Sequence, residues 1–353
     1  MDKKELLTEK KKKIWILIGK NTASFAFCIG CIYLFLFLFG SHNILPSVAV
    51  VVGLMTFPAL DLRVEPISFC VTAFLLFPLA GIAAALSFGN IWLSILCNFG
   101  ITFFILLLTA EPLQMKPYIT FLLCYIFSQG SPVLTPEVFA SRMICLTVGG
   151  LSVALVTYFT WRRRPKSCRQ HSLHEQVLLS GRHKSFILRM AIGLTLSGII
   201  GFIFHLKKPM WISIAVFSLT QIDVRETHQR IKYRVIATII GVFLFLLFCQ
   251  YLIPQEYIFF FIIFLGYVGT WVKEYKYVQI INTISAINAS LVLFDSAAAI
   301  GSRILLLGIG IAIVLALFFP DYIYRRLAGR HKKSGGTRSG ASLPSASETF
   351  TET

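Results

Sequence analysis

Twelve apolar runs, each 13 to 23 residues long, occupy most of this chain, at 21–40, 44–60, 66–88, 91–109, 117–129, 140–160, 186–205, 209–222, 233–253, 256–272, 277–294 and 303–319. A helix of about 20 apolar residues spans the hydrocarbon of a bilayer, and it satisfies its own backbone polar groups there. The alternative, a closed barrel, would show alternating segments of about ten residues rather than continuous runs. A soluble core could not absorb this much apolar surface, since 56% of the 353 residues are hydrophobic, only 14% are charged and 32 are phenylalanine. The runs therefore predict an all-α polytopic membrane protein with about twelve transmembrane helices. Pro58 and Pro78 interrupt two of them. Lys3, Lys4 and Lys10 to Lys13 precede the first run, but no small-residue cleavage site follows, so the first span is expected to be retained.

The net charge of +17 is distributed as a membrane topology, not as a nucleic-acid surface. With an even number of spans and both termini inside, 29 of the 33 Lys and Arg residues fall on one side, leaving Lys207, Lys208, Arg142 and Arg303 on the other. That bias marks the cytoplasmic face and predicts a multi-pass protein of a bacterial inner membrane with cytoplasmic termini. Cys28, Cys31, Cys70, Cys97, Cys124, Cys145 and Cys249 lie within apolar runs, where cysteine packs as a small hydrophobe. The sequence has no phosphate-binding Gly-x-x-x-x-Gly-Lys loop and no His/Cys/carboxylate spacing for a metal, and no acidic residue falls mid-span. No enzyme, cofactor or metal is expected.

The two halves repeat. Asp61-Leu62-Arg63 matches Asp223-Val224-Arg225 at an offset of 162, Ser141-Arg142 matches Ser302-Arg303 at 161, Gly149 matches Gly310 at 161, and Pro46 matches Pro209 at 163. The Arg162–Arg164 cluster pairs with Arg325–Arg326 in the same way. Since each half holds six spans, both insert in the same direction, which predicts two parallel six-helix repeats with a solute path between them. The expected organisation is a basic cytoplasmic N-terminus over 1–20, a first repeat over 21–160 and a cytoplasmic linker over 161–185. A second repeat over 186–327 and a disordered tail over 328–353, rich in Ser, Thr and Gly, complete it.

One stretch stands out. Trp211 lies in an apolar run, Gln221, Asp223 and Thr227 follow in a polar turn, and Arg230, Arg234, Thr238 and Gly241 share one face of the next helix. This pattern resembles the signature of the fusaric acid resistance and aromatic acid exporter family, with Ile222 where that family has Pro and Ala237 where it has Gly. The plan is also similar to that of plant aluminium-activated malate transporters. The resemblance implies secondary efflux of small organic acids, commonly aromatic carboxylic acids, beside a periplasmic membrane-fusion adaptor. This chain would be a compact branch with the membrane domain only. A passive organic-anion channel and a non-transporting scaffold subunit are the other readings, and homo-oligomerisation is left open.

The candidate site residues follow from polarity in apolar surroundings. Arg142 and Arg303 each open the last span of a half on the charge-poor side, where an arginine needs a partner, water or room to snorkel. They could hold a carboxylate in the path, or pair with Glu137 and Asp295. The eleventh run carries Gln279, Asn282, Thr283, Ser285 and Asn288, and Asn282, Ser285 and Asn288 are assigned to the path. Asp61, Arg63, Asp223, Arg225, Arg230 and Arg234 form a candidate cytoplasmic entrance. Small residues at Gly193, Ser197 and Gly201, and at Gly308, Ala312 and Ala316, predict helix packing.

Overall fold

A computed structural model describes residues 3–163, 171–272, 274–291 and 295–335. The chain is 85% helix, and no strand occurs among the described residues. The first half holds α1 (Lys3–Phe39), α2 (Ile44–Thr56), α3 (Pro66–Leu86), α4 (Ile91–Thr109), α5 (Tyr118–Gln129) and α6 (Pro136–Arg162). A short helix, α7 (Leu173–Ser180), leads to α8 (Lys184–Ile203), α9 (Met210–Leu219), α10 (Val224–Phe245), α11 (Ile258–Gly269), α12 (Tyr275–Ser290) and α13 (Ser296–Gly335).

Local chemistry fixes the boundaries. Gly40, at φ 80, takes the left-handed conformation that closes α1. The side chains of Asn90 and Thr135 accept the N–H groups of Trp92 and Val138 at the starts of α4 and α6, and Pro136 occupies the first turn, where its missing N–H costs nothing. Pro58 lies in a 3₁₀ turn over Phe57–Ala59 that ends α2, whereas α3 continues through Pro78. A π-helical segment, Leu246–Leu252, prolongs α10.

A helix falls in every one of the twelve apolar runs. Eight segments are long and apolar enough to cross a membrane: Lys12–Phe39, Ser41–Ala59, Pro66–Leu86, Ile91–Thr109, Pro136–Arg162, Leu173–Ile203, Val224–Leu252 and Ser296–Pro320. Tyr118–Gln129, Met210–Leu219 and Gln255–Gly269 are shorter apolar helices. At 1.5 Å per residue, a helix of 12 residues reaches about 18 Å, short of a full crossing.

Three boundaries differ from expectation. Helix α1 begins at Lys3, inside the basic N-terminus, and α13 runs to Gly335, inside the expected tail. The linker contains α7, started by a reciprocal capping box between Ser172 and Glu175. It is tied to the first half where His171 N–H donates to the Arg63 carbonyl at 2.8 Å and Glu65 N–H to the His171 carbonyl at 3.0 Å. The end of the Arg162–Arg164 cluster, the Arg325–Arg326 side chains and the tail beyond 335 lie outside the described residues.

Within the first half, α3 packs on α4, α5 and α6, α2 packs on α1, α5 and α6, and α1 also meets α6. Within the second, α10 packs on α12 and α13, α9 on α8 and α13, and α8 on α13. The halves meet along α4–α8 and α5–α9. One core cluster runs from Val50, Phe77 and Phe121 through Met190 and Val216 to Val314, and a smaller one joins Phe245, Cys249, Ile284 and Ile287.

Close approach explains two glycines at matching positions. A Cβ on Gly149 of α6 would come within 2.7 Å of Val50 on α2, and one on Gly310 of α13 within 2.6 Å of Ala215 on α9. In α8, Gly193, Ser197 and Gly201 are buried as expected of a packing stripe. Gly308, Ala312 and Ala316 instead lie on the outer face of α13, and Gly308 has open space where a Cβ would go. The packed face of α13 is the one through Gly310, because that is the face turned to α9.

These contacts set an expected outcome for one helix. Gly310→Val should lower the stability of the detergent-solubilised protein by about 1–3 kcal/mol through overpacking, and Gly308→Val should leave its thermal unfolding midpoint unchanged. Equal midpoints for the two variants would contradict the packing of α13 on α9.

Candidate functional site

At the end of the bundle that carries most of the basic residues, the turn between α9 and α10 is a closed network. Asp223 caps α10 by accepting the Arg225 N–H at 3.4 Å, and Asp61 accepts the Arg63 N–H at the same distance in the first half. Both aspartates thus act on backbone two residues ahead, and Arg63 and Arg225 are exposed. Gln221 is buried, its N–H given to Thr227 Oγ1 at 3.2 Å and its Oε1 accepting from Lys116 Nζ at 2.8 Å. Lys116 belongs to the loop between α4 and α5, so this bond ties the halves together. Burial pushes the Lys116 pKa down, Arg230 pushes the same way, and Glu226 opposes them. Arg230 pairs with Glu226 at 3.1 Å, donates to the Ser218 carbonyl at 3.4 Å and lies 4.9 Å from the Tyr275 ring centre.

Arg142 is fully buried and fully used. Its Nε donates to Asn43 Oδ1 at 3.1 Å and its Nη2 to the His42 carbonyl at 3.0 Å. Its Nη1 reaches the carbonyls of Ser128, at 3.2 Å, and Ser131, at the end of α5. The guanidinium thus holds the C-terminal end of α5, where the negative end of the helix dipole lies, together with the residue just beyond it, and pins the 3₁₀ turn Ser41–Asn43 to α6. Neither Glu137 nor any other carboxylate pairs with it among the described residues.

Arg303 differs. It is 5% exposed, donates no hydrogen bond among the described residues, and its Cζ lies 4.3 Å from the Trp211 ring centre. The indole face offers cation–π attraction without an acceptor lone pair, and Trp211 Nε1 is itself buried without a partner. On the neighbouring helix Arg234 is also buried; its Nη1 donates to Gln279 Oε1, while its Nε has no partner. The two guanidiniums lie within electrostatic range of one another, and no carboxylate pairs with either. A chamber of about 310 Å³ adjoins Trp211, walled by Leu206, Leu305 and Leu306, with Ser290, Ser302 and Lys208 at its polar edge. Buried donors without acceptors beside an apolar chamber can receive an anionic group with an apolar body.

The remaining expected residues divide. Thr238 Oγ1 donates to the Arg234 carbonyl at 2.8 Å, and Gly241 lets α12 approach, since a Cβ there would lie 2.7 Å from Thr283. Asn282 is on the outer face of α12, and Ser285 and Asn288 are half-buried. The buried polar residues of that helix are Gln279, Thr283 and Ser290.

Sequence reasoning overlooked a polar cluster at the seam of the halves. Asn98 of α4 accepts from Tyr125 at 3.0 Å and from Gln129 at 3.1 Å, and donates to Ser94. It faces Gly198 of α8, where a Cβ would lie 2.7 Å from the Asn98 amide. An asparagine in the middle of an apolar run was the available signal. Among the described residues, no group of His, Cys, Asp and Glu side chains could hold a metal.

Eight helices among the described residues that are long and apolar enough to cross a membrane indicate a multi-pass membrane protein, and Arg142, Arg234 and Arg303 are buried within it. Residues 196–317, from within α8 to within α13, match the family described as fusaric acid resistance protein-like. No curated protein and no solved structure matches the chain.

The two arginines should part in a thermal unfolding experiment. Arg142→Gln strands several buried carbonyls and should cost on the order of 3 kcal/mol. Arg303→Gln removes an unpartnered buried charge and should leave the unfolding midpoint equal or higher. A larger loss for Arg303→Gln than for Arg142→Gln would reverse the assignment.

Proposed function

We propose that this protein is an inner-membrane secondary efflux permease for small organic acids, aromatic carboxylic acids foremost. The observation that carries this reading is Arg303, 5% exposed, with no hydrogen-bond acceptor among the described residues, and set over Trp211, whose ring in turn lines an apolar chamber of about 310 Å³. A carboxylate supplies the missing acceptors in bidentate form, and a flat apolar ring matches the leucine walls and the indole. Arg234 adds a second buried cation toward the basic end, so an anion meets attraction along the line from the α9–α10 turn to Arg303. Arg225, Arg230 and Arg234 form the entrance. A periplasmic adaptor would take the substrate onward.

Two parallel six-helix units make up the architecture in this proposal. Support comes from packing pairs that recur at matching places: α1–α2 with α8–α9, α2–α6 with α9–α13, α3–α5 with α10–α12, and α1–α6 with α8–α13. The matched close approaches at Gly149 and Gly310, and the matched turns at Asp61 and Asp223, support it as well.

A passive organic-anion channel is the second reading. It is favoured by the absence of any acidic residue in the middle of an apolar run, which leaves no buried carboxylate to carry a coupling proton.

Efflux of hydroxybenzoates and fusaric acid from cells expressing each variant tests the proposal. Arg303→Gln should slow export about tenfold or more, the size of one lost charge-assisted contact, and Arg303→Lys should restore part of it. Arg142→Gln should reduce export only in proportion to protein abundance. Undiminished export by Arg303→Gln at normal abundance would remove the chamber from the mechanism.

A further inference from the structure

A second cavity, of about 390 Å³, lies at the seam where α4 and α5 meet α8 and α9, at the charge-poor end of the bundle. Its depth is polar. Ser87 and Ser94 line it, and so does Gln129, whose Nε2 is taken up by Ser87, Asn98 and Tyr125 while its Oε1 makes no hydrogen bond among the described residues. Ser213 also lines it; this side chain is 5% exposed and its hydroxyl has no partner. Two lysines, Lys207 and Lys208, stand at the rim, and no carboxylate is among the lining residues.

Two further features narrow the ligand. Phe88 and Phe202 line the cavity and are also part of the outer, apolar surface, at 44% and 39% exposure, beside the more exposed Trp92 and Phe204. The cavity therefore opens onto the face that lipid covers, at the level where the spans end. Its cations are held in place: Lys208 Nζ donates to the Ala289 carbonyl at 2.8 Å, and its partial burial lowers its pKa, so an arriving anion would relieve a desolvated ammonium.

We infer that this seam cavity binds the headgroup of an anionic glycerophospholipid, with the phosphate at Lys207 and Lys208, the glycerol hydroxyls at Gln129 and Ser213, and the acyl chains over Phe88 and Phe202. A phosphate diester bearing hydroxyls and a long apolar tail matches all three zones at once. A small free anion would use only the rim. The cavity shares its lysine rim, Lys207 and Lys208, with the chamber beside Trp211, and differs from it in the polar depth formed by Ser87, Ser94, Gln129 and Ser213. A lipid seated between α4–α5 and α8–α9 would act as a wedge at the contact between the halves.

Native mass spectrometry of the full chain in detergent, with phosphatidylglycerol and phosphatidylcholine of matched acyl chains added at equal concentration, tests this. One phosphatidylglycerol per chain should be retained about tenfold over phosphatidylcholine, the scale of a charge-assisted contact. Lys207→Gln, on an exposed side chain, should weaken that preference, and Lys207→Gln with Lys208→Gln should abolish it. Lys232→Gln, an exposed lysine at the opposite end, should leave it intact and so separates a site from general attraction to anionic lipid. Equal retention of the two lipids, or a preference that survives the double substitution, would overturn the inference. Displacement of the lipid by millimolar inorganic phosphate would overturn it in favour of a free anion.

Discussion

A guanidinium taken out of water must find acceptors for its N–H groups or keep its charge uncompensated, and this requirement organises the interior of the protein. Arg142 meets it with backbone. A helix that stops inside a bundle leaves carbonyls facing inward, and α5 stops after Gln129. The cation and the orphaned carbonyls solve each other's problem, which is why a short helix of twelve residues can end next to an arginine at no exposure. Arg303 has no such helix end to cap. It lies over the face of Trp211, which lowers the cost of the charge but offers no lone pair.

The contrast between these arginines bears on how a duplicated unit can acquire a direction. In the repeat proposed above the two positions correspond, as do Ser141 and Ser302 one residue earlier. Ser141 Oγ donates to the Phe39 carbonyl and accepts from Asn43, joining the lock around Arg142, whereas Ser302 Oγ turns back to the Ala299 carbonyl of its own helix. One copy is therefore cemented and the other is open. The same asymmetry holds at the basic end, where Arg230 and Arg234 have no counterparts after Asp61. Arg142, held by backbone, lies in the first half, and Arg234, whose Nε has no hydrogen-bond partner among the described residues, lies in the second, within the matched residues 196–317.

Much of this was legible in the sequence, because hydrocarbon leaves few choices. Continuous apolar runs located a helix in every expected place. The offset of 161 pairs Gly149 with Gly310, and each is a site of close helix approach. Other features were not legible, for a physical reason. The partners of Arg142 are mostly backbone carbonyls, and every residue has one, so no residue type announces them. Spacing showed Asn282, Ser285 and Asn288 to be polar but could not fix the rotation of α12 about its axis, which buries Gln279 and Thr283 and leaves Asn282 outside. The small-residue stripe of α13 failed in the same way, since Gly308 and Gly310 lie on opposite faces of one helix and only the packing of α9 selects between them. Asn98 needed only its position mid-run to be noticed, but its meaning came from Gly198 across the seam.

A binding site in a conducting path has to hold its ligand without trapping it. Full coordination of the kind Arg142 enjoys would make an arginine useless for that purpose, because an anion would have to displace existing bonds to bind. A bare buried arginine would fail in the opposite sense, holding an anion too tightly to release it. Stacking on Trp211 places Arg303 between these limits. In the proposed path, the contact with the indole stabilises the empty state without using a hydrogen-bond acceptor, so a carboxylate could add its oxygens without displacing one. Proximity to Arg234 raises the cost of the empty state in turn and gives an entering anion a reason to pass from one cation to the next. In that proposal, the balance between the ring that quiets the charge and the second charge that excites it would set the affinity, and both are positioned by α9, α10 and α13.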